Sequence, residues 1–140
     1  MKCLFELTEM RAKARKEWEQ EKANAEKSIL ADTINFCENV ISPRLEAIAK
    51  RPNGGGIYAN FELGIGYDAY GNLILNPLVK EKTTYANGDA SFCRDTGKCL
   101  SEAILEEYLT RHCLTVKWYD SWYKSYGCGS LKSKILYVSV

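Results

Sequence analysis

Residues 57–79, "IYANFELGIGYDAYGNLILNPLV", decide the fold. Ile57, Ala59, Phe61, Leu63 and Ile65 alternate with Tyr58, Asn60 and Glu62. A repeat of two belongs to a strand with one buried face. "YDAYGN" at 67–72 is rich in turn residues, and "LILNPLV" at 73–79 returns as a second strand, so the stretch is predicted to be a β-hairpin. Pro77 has no amide proton, which puts its strand at an edge or ends its pairing. Gly64 and Gly66 predict a bulge or a close backbone approach.

Upstream, the apolar period lengthens to that of a helix. Leu30, Ile34, Cys37, Ile41, Leu45 and Ile48 recur at steps of three and four, and Phe36, Val40 and Ala47 broaden the stripe into a core face. Ser42-Pro43 interrupts it. The chain either kinks there or starts a second helix with Ser42 as N-cap and Pro43 in its first position, and the second is favoured. "RPNGGG" at 51–56 ends the helix. A phosphate loop of the Walker type follows a strand, opens a helix and carries a Lys-Ser/Thr pair. Here the glycines follow a helix and open a strand, so the run is predicted to be a simple turn.

Further upstream, Thr8–Lys27 is "TEMRAKARKEWEQEKANAEK", a run of strong helix formers with Thr8 as the expected N-cap. Only Met10, Ala14 and Trp18 make an apolar stripe, and a Trp on so polar a helix wants a pocket. These three are the expected oligomer or partner contact. Residues 1–28 are accordingly a charged helical arm and 29–140 a single α+β domain.

Downstream of the hairpin, residues 80–98 have the least regular pattern. A short extra hairpin at Asn87-Gly88 is expected there, with Tyr85 or Phe92 anchoring the loop. Ser101 caps a helix, "SEAILEEYLTRHC", whose apolar face is Ile104, Leu105, Tyr108 and Leu109. His112, the only histidine, suits the negative end of that helix dipole. "LTVKWYDSWYKSY" at 114–126 then reads as a strand. Val116, Trp118 and Trp122 are assigned to the core, and Lys117, Tyr119, Tyr123 and Lys124 to a ligand- or partner-binding face. "GCGS" turns the chain into a closing strand, "LKSKILYVSV". The predicted architecture is α+β: a long or broken N-terminal helix, then hairpin, helix, hairpin (αββαββ), in a mostly antiparallel sheet with helices on one face. The runner-up takes Lys2–Leu7 as a first strand, which gives a ferredoxin-like plait.

Composition narrows the function. A chain of 140 residues with 46% hydrophobic and 26% charged residues builds one folded domain. The net charge of +1 lacks the basic excess that duplex DNA binding needs. No signal-peptide core and no membrane-spanning run is expected, which predicts a soluble, cytoplasmic protein with no membrane partner. The six cysteines, Cys3, Cys37, Cys93, Cys99, Cys113 and Cys128, then read as free thiols. Neither they nor His112 show the paired spacing of zinc sites, so no metal or cofactor is expected. No nucleophile elbow, dinucleotide loop or histidine metal motif occurs, and no catalytic residue is assigned. Aromatic rings beside lysines fit binding instead.

The charged helix leading into "INFCENVISPRLEAIAK", with the tail "AILEEYLTRHCLTVKWYDSWYKSYGCGS…ILYVSV", resembles small accessory proteins encoded by bacteriophages and prophages of gut and clostridial bacteria. The resemblance implies a non-enzymatic binding protein in counter-defence, acting in the host cytoplasm. Its expected partners are a host protein or a nucleotide-like small molecule, with a homo-oligomer formed through the N-terminal helix. A single-strand nucleic-acid or regulatory module is the first alternative, and a thiol or metal-dependent enzyme the second.

Overall fold

The computed structural model describes residues 1–125 and 129–140, and only the backbone of residues 83–85, 89, 90 and 92. Tyr126 and the first half of the "GCGS" turn, Gly127 and Cys128, lie outside the described residues, as do the side chains of Tyr85 and Phe92. The elements are α1 (Leu4–Phe36), a π-helical turn (Cys37–Ile41), α2 (Ser42–Ala49), β1 (Tyr58–Tyr67), β2 (Leu73–Tyr85), β3 (Gly88–Asp95), α3 (Glu102–Arg111), β4 (Thr115–Ser125) and β5 (Gly129–Ser139). The fold is α+β, and the N-terminal segment is helical from Leu4, which removes the plait with a first strand at Lys2–Leu7.

The chain does not restart at Ser42. Ser42 has helical dihedrals (φ −60°, ψ −50°), makes no N-cap, and its amide donates to the Cys37 carbonyl five residues back. A proline at 43 collides with the carbonyl four residues earlier in a regular helix. One wider π turn absorbs that conflict, so α1 and α2 form one continuous rod. Thr8 is not a cap either: its hydroxyl donates to the Leu4 carbonyl inside the helix, at 2.7 Å.

The hairpins form as predicted. Asp68 accepts from the amides of Tyr70 (2.9 Å) and Asn72 (2.8 Å), which pins the β1–β2 turn. The β1–β2 ladder stops at the pair Leu63–Pro77, where the proline has no amide to offer. Beyond it β2 parts from β1 and pairs with β3, through the extra hairpin at Asn87-Gly88. Ser101 caps α3, its hydroxyl accepting from the Ile104 amide at 3.4 Å. The α3 crossover brings β4 back parallel to β3, touching at Cys93–Ser125, while β5 pairs antiparallel with both β4 and β1. The five strands thus close into a small barrel in the order β1-β2-β3-β4-β5.

The core lies between one face of the β1–β5–β4 sheet and the helices. Ala59, Leu63, Leu75, Leu136 and Val138 meet Phe36, Cys37, Ile41, Leu45, Leu105 and Leu109 there. Buried Thr33 ties α1 to the start of α3, its hydroxyl accepting from the Ser101 amide at 3.1 Å. Among the described residues no helix is long and apolar enough to cross a membrane.

Candidate ligand-binding face

Because the core takes one face of β1, β5 and β4, alternation sends Tyr58, Asn60 and Glu62, Tyr137, Ile135 and Ser133, and Lys117, Tyr119, Ser121 and Tyr123 to the other. Register sets them in rows: Asn60–Tyr137–Lys117, Glu62–Ile135–Tyr119 and Gly64–Ser133–Ser121. Tyr58, Tyr137 and Tyr119 occupy diagonal positions across three strands, within reach of aromatic side chains. The Tyr58 and Tyr137 rings stack at 5.6 Å and 24°, and Tyr119 meets Tyr137 edge-on at 6.4 Å. Tyr58 is 49% and Tyr119 51% exposed. Two half-exposed rings, with the partly buried Tyr137 between them and Lys117 beside it, therefore line this end of the sheet face.

At the other end of this face the barrel closes. A Cβ on Gly64 would lie 3.3 Å from the Tyr123 hydroxyl and 3.2 Å from Leu78, so glycine there allows the close approach anticipated from the sequence. Buried Ser133 donates to Glu62 Oε1 at 3.0 Å.

The four residues of the predicted binding face divide. Lys117 and Tyr119 belong to the tyrosine face, and Tyr123 points from the same face into the closed end of the barrel. Lys124 falls on the opposite face, in the alternation of Trp118 and Trp122. Tyr58 and Tyr137 complete the aromatic group and were missed. Alternation alone sets Tyr58 opposite the buried face of β1, but only the pairing of β1 with β5 brings it to Tyr137.

The core assignment of Trp122 is corrected, since it is 61% exposed, with Lys132 Nζ 5.7 Å from its ring. Trp118 packs against the core under α3, its indole N–H donating to Glu106 Oε1 at 2.5 Å. Four residues further on, about 13 Å along the strand, β4 has passed the end of α3, and the same face emerges into solvent.

The expected arm contacts divide too. Met10 and Ala14 are exposed, together with Leu4, Phe5 and Leu7. Trp18 touches its own chain, edge-on to Tyr70 at 5.7 Å with Lys22 Nζ 5.4 Å from its ring, yet stays 48% exposed. Burial, with Glu38, pushes the Cys37 thiol up to about 11. Burial and nearby carboxylates raise Cys93 and Cys99 as well, so none of the three is primed as a thiolate. Among the described residues no group of three or more His, Cys, Asp or Glu side chains is placed to hold a metal ion. No protein-family model, no curated protein and no solved structure matches the chain.

Proposed function

We propose that this is a binding protein that acts without catalysis, holding a nucleotide-like ligand on the tyrosine face of β1, β5 and β4. The observation that carries this is the diagonal Tyr58–Tyr137–Tyr119, exposed at its two outer rings, with Lys117 alongside. Rings on a rigid sheet offer planar contact at little entropy cost, and base–aromatic stacking contributes about 1–3 kcal/mol per base. The upward shifts of Cys37, Cys93 and Cys99 favour binding over thiol chemistry. The likeness to phage accessory proteins supplies a setting, withdrawal of a signalling nucleotide in the host cytoplasm.

Calorimetric titration with mononucleotides, cyclic dinucleotides and a short single-stranded oligonucleotide tests this. Saturable nucleotide binding that Tyr119→Ala weakens is the expected result. Binding of the oligonucleotide alone, falling steeply with salt, would transfer the face to single-stranded nucleic acid. Binding of none of them at millimolar concentration rejects the proposal.

The exposed Leu4, Phe5, Leu7 and Met10 at the start of α1 are proposed as a self-association surface. Light scattering should give a higher mass for the full chain than for a form lacking residues 1–17. The same monomer mass for both ends that proposal.

A further inference from the structure

The loop from α2 to β1 carries three successive glycines that the backbone does not require. None of Gly54, Gly55 and Gly56 has a positive φ. A Cβ would meet nothing within 4 Å at Gly55, Tyr58 Cδ1 at 3.6 Å at Gly56, and nothing closer than 3.4 Å at Gly54. Glycine costs conformational entropy on folding and is the residue of choice where a backbone must be approached closely. Among the described residues the amides of Gly55 and Gly56 donate to no backbone carbonyl.

These glycines form one wall of a hollow of about 420 Å³. Arg44, Arg51, Tyr58 and Asn60 supply the rest of its polar lining, and no acidic side chain enters it. Arg94 pairs with Glu81 and Arg111 with Glu107. Among the described residues neither Arg44 nor Arg51 has an ion pair or side-chain hydrogen bond. Arg44 comes from α2 and Arg51 from the residues just after it, and both line the same hollow. Planar forks of this kind match phosphate oxygens, and free amides add neutral donors. Tyr58 is both a wall of this hollow and the first ring of the tyrosine diagonal.

We infer that the hollow is the phosphate subsite of the ligand face, and that the ligand is a nucleoside phosphate. Its phosphate lies between Arg44, Arg51 and the Gly55–Gly56 amides, and its base lies toward Tyr137 and Tyr119. This rests on the nucleotide-binding proposal above for the base, but not for the anion. The mode differs from a Walker loop: the amides leave a helix and enter a strand, and the charge comes from arginines rather than from a P-loop lysine.

The test is calorimetric titration of the full chain with AMP, adenosine and inorganic pyrophosphate, on the wild type, Arg44→Ala/Arg51→Ala, Arg44→Lys/Arg51→Lys and Tyr119→Ala. Both arginines are exposed, and circular dichroism checks that each variant folds. The alanine pair should weaken AMP by about ten- to hundredfold, to the level of adenosine, and leave adenosine unchanged. The lysine pair should recover part of the loss, since it restores charge without the fork. AMP binding that falls in Tyr119→Ala but not in the arginine pair would overturn the phosphate subsite and leave the stacking face standing. Pyrophosphate binding that depends on the arginines, with no response to adenosine or AMP, would keep an anion site and overturn its assignment to a nucleotide. No binding of any probe overturns both.

Discussion

The two faces of the β1–β5–β4 sheet share every backbone hydrogen bond, yet their chemistry is opposite. On the helix side Ala59, Leu63, Leu136 and Val138 are at most 4% exposed and meet α2, α3 and the π turn. On the open side Tyr58 and Tyr119 keep about half their surface in solvent. Phe36, Phe61 and Trp118 go to the core, while the tyrosines of the open side are left outside it. One face therefore sets whether the protein folds, and the other is free to set what it binds.

The sharpest way to break that division is to truncate the covered face. Leu136→Ala should cost about 2–5 kcal/mol of stability, because a fully buried side chain leaves a cavity between sheet and helices. Urea denaturation reads this, and ligand affinity of the folded protein should hardly change. A loss below about 1 kcal/mol would mean that the helices do not rest on this face. The converse variant is Tyr137→Ala, at the centre of the diagonal. It should weaken nucleotide binding by about 1–3 kcal/mol. Tyr119→Ala, at an exposed position, should change stability by no more than about 0.5 kcal/mol. Equal losses of stability and binding in Tyr119→Ala would erase the distinction between the faces.

Much of this was legible from period alone. The alternation over Ile57–Ile65, the turn at 67–72, the cap at Ser101 and the ladder-ending Pro77 are local facts of chain chemistry, and each recurs in the structure. What stayed illegible depends on where a neighbouring element stops. Nothing in "KWYDSWYK" records that α3 covers Trp118 and ends before Trp122. The π turn at Cys37–Ile41 is a tertiary compromise: packing of Phe36, Ile41 and Leu45 on one core holds the rod together through Pro43, against the local preference for a break. The candidate face was half visible, as Lys117 and Tyr119, and its other half waited on strand pairing between residues far apart in sequence.

The tryptophan pair offers a smaller test along a single strand. Trp118→Phe removes the hydrogen bond to Glu106 and should cost about 1 kcal/mol, as one hydrogen bond contributes. Trp122→Phe should stay within about 0.5 kcal/mol. Equal costs from the two would place α3 over both.

A further test lies on the covered side, in the pH dependence carried by Cys37. Its thiol is 2% exposed and pushed up to about 11 from an ordinary 9.0, first by burial and then by Glu38. In the unfolded chain the same thiol loses its proton near its ordinary value. Between about pH 9 and pH 11 the unfolded state thus binds fewer protons than the native state. The group's contribution is intact below that window and is lost as pH rises through it. Cys37→Ala removes this dependence whatever it costs at neutral pH. The stability difference between wild type and variant, from urea denaturation at a series of pH values, should therefore shrink from pH 8 upward. A difference that stayed constant to pH 10.5 would show a solvated thiol, and with it a π turn that opens the helix side of the sheet to water.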